Sequence, residues 1–151
     1  MLVGLPAVSS AQAPPPVSIQ GEVMKTWKNG RGEDVVLRRG YWSADNPRGG
    51  FGYEKILRKH EITDLGVVES IVRKPDTIMP QANGRSAHES IARQFRCSIT
   101  GCVTVQSVTV RVVIDYREWE GLGQLGIVTA YCDNPDRSWK CPAFVNAAIK
   151  P

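Results

Sequence analysis

The chain has 151 residues, 42% hydrophobic and 23% charged, a balance that suits one folded domain and excludes global disorder. Its net charge is +4, and the whole excess lies between Glu22 and His60, where nine Lys/Arg face five Asp/Glu. A local positive field of this kind attracts RNA, DNA or another anionic surface, and it equally describes an ordinary solvated basic face.

The start, "MLVGLPAVSSAQAPPPVS", runs small apolar residues into Ala11-Gln12-Ala13, which reads as the end of a secretory signal. No Lys or Arg precedes that run and Pro14 follows the site, so a leader of no consequence is the competing reading. Residues 1–20 are therefore a signal-like leader and Pro-rich linker, extended and without core, and residues 21–151 a single domain. No apolar run reaches the roughly 20 residues needed to cross a bilayer.

From Gly21 to Pro47 the breakers Gly30, Gly32 and Gly40 surround one strand-like run, Asp34 to Leu37, followed by the cationic pair Arg38-Arg39. In "GGFGYEKILRKHEITDLG" a flexible Gly-rich entrance leads to Tyr53, Ile56, Leu57 and His60 at i, i+3, i+4 and i+7, one face of a helix. Lys55, Arg58 and Lys59 lie off that stripe. Asp64 caps a second helix whose stripe is Leu65, Val68, Ile71 and Val72, and Pro75 ends it. Residues 76–85 read as a loop. The period then falls to two. Ser90–Cys97 forms a strand and "ITG" a turn. Along Val103–Tyr116, residues Val108, Val110, Val112, Ile114 and Tyr116 share one face, with Thr109, Arg111, Val113 and Asp115 on the other. Gly121-Leu122-Gly123 turns the chain into a last strand, Leu125–Cys132, with Ile127, Thr129 and Tyr131 on one face. Helices followed by strands on short turns predict an α+β fold, N-terminal helices packed on a roughly four-stranded antiparallel sheet.

Four cysteines, Cys97, Cys102, Cys132 and Cys141, fall in the final third as two close pairs. Zinc competes with disulfides here, but the spacings C-x4-C and C-x8-C are not the usual knuckles and no histidine except His88 lies near. Three pairings are open to four cysteines; Cys97–Cys102 and Cys132–Cys141 are the favoured ones, and they suit an exported protein.

There is no P-loop, no G-x-S-x-G, no H-E-x-x-H and no dinucleotide fingerprint, and two histidines with scattered carboxylates point to no metal and no cofactor. Trp27, Trp42, Trp119 and Trp139 are too dispersed for a base-stacking platform. What remains is a histidine beside cations, on a helix that could face a sheet bearing Thr, Tyr and Arg. Metal-free RNA cleavage needs such a set: a base for the 2′-hydroxyl, an acid for the 5′-oxygen, and Arg or Lys for the charge on phosphorus.

The run "GGFGYEKILRKHEITDLG", then "VVESIVRKPD", two strands and a terminal "GIVTAYCDNP" resembles the barnase–EndoU–colicin–RelE-like group of nuclease toxins, especially its phage and polymorphic-toxin branches. A "hIxxKH"-type motif on a short N-terminal helix and "hhTxY" on the last strand of a four-stranded antiparallel sheet mark that group. The resemblance spans residues 49–132. It implies His60 as general acid or base, Arg58 or Lys59 as phosphate ligand, and Thr129 and Tyr131 as polar positions of the last strand. Arg111, on the less apolar strand face, is a further candidate for phosphate or for Asp115. No second catalytic histidine matches, since His88 lies where loop gives way to strand, and the paired cysteines depart from the group's pattern. The resemblance implies RNA as substrate and leaves open a tRNA target and an immunity protein as partner; the leader and the paired cysteines, not the resemblance, point to secretion, and the chain is read as a monomer. Against it stand two plainer readings. His60 shares its stripe with Ile56 and Leu57 and can be a core residue, although its cationic neighbours favour a half-exposed position. The chain can also be a non-catalytic, disulfide-stabilised extracellular binding module.

Overall fold

Residues 12–149 are described by the computed structural model, so the leader through Ala11 lies outside the described residues. The Pro-rich linker is not wholly extended. A short helix, α1 (Val17–Gln20), follows Pro16, and Gln20 is buried, its carbonyl accepting from Gly40 N–H at 2.9 Å. The linker thus ends already packed on the domain.

Strands β1 (Val23–Lys28) and β2 (Asp34–Arg38) pair as an antiparallel hairpin. Sequence reading found β2 and missed β1, whose only buried side chain is Trp27. The turn is shaped by Asn29, whose Oδ1 accepts from Arg31 N–H (2.9 Å) and Glu33 N–H (3.0 Å), an Asx-type closure. Helix α2 (Gly52–Arg58) and helix α3 (Leu65–Arg73) occupy the expected positions. Asp64 caps α3 as anticipated, its side chain accepting from Gly66 N–H at 2.8 Å.

The main sheet has four antiparallel strands in sequential order: β3 (Thr77–Pro80), β4 (Arg85–Ser98), β5 (Gly101–Glu118) and β6 (Gln124–Asp133). The α+β expectation, helices on a four-stranded antiparallel sheet, holds. Its membership differs, because β3 lies within the stretch read as loop, while the predicted run at Asp34–Leu37 belongs to the separate hairpin. Proline ends β3 and three of its four side chains are exposed, so this edge strand carries little hydrophobic signal. A four-residue helix, α4 (Val145–Ala148), completes the described chain.

Val110, Val112 and Ile114 of β5 form one fully buried row, in a single core with Val67, Val68, Ile71 and Val72 of α3 and with Ile56 and Ile62. Beside them Ile127 pairs with Ile114, but Thr129 pairs with Val113, because the register shifts between these two rungs. That bulge sends Thr129 and Tyr131 to the face opposite Ile127, correcting the reading that placed all three together. The two sheets meet where β2 crosses β6. Gly126 has φ +84°, and a Cβ there would sit 2.1 Å from the Val36 carbonyl oxygen. Glycine permits both the backbone conformation and the approach. Gln124 completes the junction, accepting from Val36 N–H (3.2 Å) and donating to the Asp34 carbonyl (3.0 Å).

Candidate functional site

The second face of the main sheet carries a polar row built by register: Glu89 on β4 opposes Arg111 on β5, and Arg111 opposes Tyr131 on β6. Arg111 forms an ion pair with Glu89, donates to the Tyr131 hydroxyl at 3.1 Å and lies 3.9 Å from Asp133. Partial burial alone would lower its pKa, but the hydrogen bonds to Tyr131 and Glu89 outweigh this and hold it above the ordinary arginine value.

Two residues beyond α2, His60 reaches Tyr131, with ring centroids 5.6 Å apart. Tyr131 in turn meets Trp139 edge-on at 5.5 Å. His60 Nδ1 donates to the Trp139 carbonyl at 2.7 Å, and the His60 carbonyl accepts from Cys141 N–H at 2.8 Å. The segment that covers His60 is fastened to β6 by the Cys132–Cys141 disulfide. His60 is therefore 3% exposed, not half-exposed. Burial, only partly countered by the bond to Trp139 and reinforced by the charges of Lys59 and Lys55, lowers its pKa to about 4. At neutral pH it is a neutral imidazole whose one proton is committed to a carbonyl.

The basic residues around α2 are turned toward the preceding loop. Lys55 Nζ donates to the Arg48 and Gly50 carbonyls (3.3 and 3.2 Å), Lys59 Nζ to Pro47 (2.6 Å) and Arg58 Nη1 to Trp42 (3.1 Å). Arg58 also stacks on the Trp42 ring. Arg38 is buried and divides its guanidinium among the carbonyls of Gly21, Leu122 and Gln124. Lys55 and Arg38 are buried against backbone oxygens, whereas Arg58 and Lys59 each make a carbonyl contact at the surface. Of the residues singled out from sequence, His60, Tyr131 and Arg111 come together. Thr129 sits two residues from Tyr131 with a buried hydroxyl that has no hydrogen-bond partner, and Arg58 and Lys59 hold the 42–47 segment.

Asp115, on the same sheet face, is fully covered by two arginines. It accepts from Arg117 Nη2 (2.7 Å), from Arg117 N–H (3.0 Å) and from Arg85 Nε (2.9 Å). The Arg117 side chain chiefly, against the effect of burial and with help from Arg85, holds its carboxyl well below the usual carboxylate range. Asp115→Ala is expected to lower the unfolding free energy by about 2 kcal/mol in urea titration at pH 7, because charge-assisted bonds are lost and two cations left facing each other. A change under about 0.5 kcal/mol would mean that the cluster is a surface ornament.

Sequence reasoning missed two features. One is a cavity of about 570 Å³ between the β1–β2 turn and β3–β4, lined by Asn29, Arg31, Glu33, Arg85, His88 and Tyr116 among others. His88 is buried there, its Nε2 3.1 Å from Ser86 Oγ, and burial lowers its pKa. The other is the outer half of the β4–β5 hairpin. Every residue from Arg93 to Ser107 is exposed, Phe95, Ile99, Val103 and Val105 included. Its signal was present in "VTVQS", whose apolar alternation continues past the point where β6 stops pairing with β5. Among the described residues no group of three His, Cys, Asp or Glu could hold a metal, and no helix is long and apolar enough to cross a membrane. No protein-family model matches the chain, and neither does any curated protein or solved structure.

Proposed function

We propose that this chain is an exported, disulfide-stabilised binding module that acts through the outer half of its β4–β5 hairpin rather than by catalysis. The observation that carries the reading is the arm itself. Fifteen consecutive residues, 93–107, project beyond β3 and β6, present exposed large apolar side chains and are cross-linked near the tip by Cys97–Cys102. A cross-linked hairpin is preorganised, so it loses little conformational entropy when it binds, and four large apolar side chains exposed on one short arm support a role in binding. Two disulfides suit an oxidising, extracellular setting.

The ribonuclease reading lacks an accessible proton carrier of the expected kind. His60 is 3% exposed and His88 2%, and the cations beside His60 serve backbone carbonyls. Total RNA incubated with the oxidised protein in EDTA, from about pH 5 to pH 8, is expected to stay intact. Cleavage that vanishes in a folded His60→Ala variant would overturn the binding reading and restore the nuclease one.

A further inference from the structure

The arm's chemistry identifies the kind of surface it meets. β3 pairs with β4 as far as Glu89, and β6 pairs with β5 as far as Thr109, so from Ala92 and Val108 outward the two strands have only each other. Seven residues of β4, Ala92 to Ser98, extend about 23 Å at some 3.3 Å per residue. The apolar side chains do not share one face. Phe95 pairs with Thr104 on one side, Val103 pairs with Arg96 on the other, and Val105 sits at the register irregularity between them. Ile99 stands fully exposed in the turn. A protein groove would cover one side and leave the others wet, whereas a fluid interface surrounds the tip. Charge agrees, since Arg93 and Arg96 are the only ionised side chains from Ser90 to Val110 and no carboxylate lies among them.

Resting on the binding-module reading, we infer that the β4–β5 arm inserts its tip into the headgroup region of an anionic lipid membrane. Ile99, Phe95 and Val103 enter the boundary between headgroups and acyl chains, and Arg93 and Arg96 meet lipid phosphates. Insertion is shallow. The outer edges of both strands carry backbone N–H and C=O groups that pair with no other strand, and these are tolerated among hydrated headgroups but not in hydrocarbon.

The test is co-sedimentation of the full oxidised protein with vesicles of phosphatidylcholine alone and of phosphatidylcholine with about one third phosphatidylglycerol. Wild type is expected on the anionic vesicles, at least about tenfold more weakly on neutral ones, with binding reduced by high salt. The triple variant Phe95→Ser, Ile99→Ser, Val103→Ser should lose at least about tenfold in affinity while keeping its melting temperature, because all three side chains are already in water. Arg93→Gln with Arg96→Gln should remove most of the preference for anionic lipid. No binding to anionic vesicles while RNA stays intact would sink the membrane inference and leave the arm to a protein partner. Binding unchanged in the triple variant would overturn it in favour of the general basic surface. RNA cleavage would instead sink the binding-module reading itself.

Discussion

Removing the Cys132–Cys141 disulfide as a Cys132→Ala, Cys141→Ala pair is expected to lower the unfolding free energy by about 3 kcal/mol and the melting temperature by roughly 10 °C. The bridge spans nine positions and both cysteines are buried, one at the end of the core row on β6 and the other where its N–H meets the His60 carbonyl. Loop closure of this size restricts the unfolded chain by about 2.5 kcal/mol in the entropic account. Loss of buried sulfur contacts adds to that. The matching change at Cys97 and Cys102 should behave differently. That bridge cross-links exposed residues of the arm, which can fray without opening the core, so the melting temperature should move by no more than about 3 °C while amide exchange in the arm accelerates. Equal shifts for the two pairs in thermal unfolding would contradict the division into a core and a projecting arm.

Acid should destabilise the fold well before its carboxylates protonate. The His60 pKa is about 4 in the folded protein, against about 6.5 for a free histidine. Between these values the unfolded chain binds a proton that the native state refuses, so stability falls as pH drops from about 6.5 to about 4. The loss due to His60 is about 3 kcal/mol, is complete near pH 4, and is nil above pH 7. His88, whose pKa burial also lowers, acts in the same direction. Asp115, held low by its arginines, contributes only in a more acid window, below the ordinary aspartate value. His60→Asn separates these effects, because its amide can still donate to the Trp139 carbonyl but does not titrate. The variant should be less stable than wild type by about 1.5 kcal/mol at pH 7.5, having lost ring packing on Tyr131, and the two stability curves should cross near pH 5. Parallel curves in urea unfolding from pH 8 to pH 4 would show that His60 titrates in the native state as it does in water.

That behaviour bears on how the cluster is understood. A histidine protonated only near pH 4 and bonded to a carbonyl holds three parts of the chain together: the end of α2, Tyr131 of β6, and the 139–141 segment. The same row continues through Arg111 to Glu89, so polar side chains tie three strands of the sheet to the helix layer. Buried polar networks that are largely satisfied specify one arrangement of the elements around them.

Much of this architecture could be read from local pattern. Tyr53, Ile56, Leu57 and His60 announce a helix by spacing alone, Asp64 announces the next through its cap, and β5 announces itself through strict alternation from Val108 to Ile114. The cysteine pairing was legible because each partner is the nearest cysteine along the chain. β1 and β3 escaped because most of their side chains face water and leave no apolar rhythm. The bulge beside Thr129 escaped because one extra residue reverses the strand's faces without altering its composition. The roles of Lys55, Arg58 and Lys59 escaped for another reason: their partners are carbonyls, which every residue has and no side-chain pattern reveals.

By itself, then, the sequence determined the α+β class and the order of helices before the four-stranded sheet, favoured the cysteine pairing that forms, and set His60 on one stripe with Ile56 and Leu57. Only the tertiary structure decided that this histidine is closed off and that residues 93–107 of the β4–β5 hairpin are exposed. The physical reason is that exposure is non-local. His60 is covered by a segment some eighty residues away, and the arm is bare because strands that pair with its base stop short of its tip.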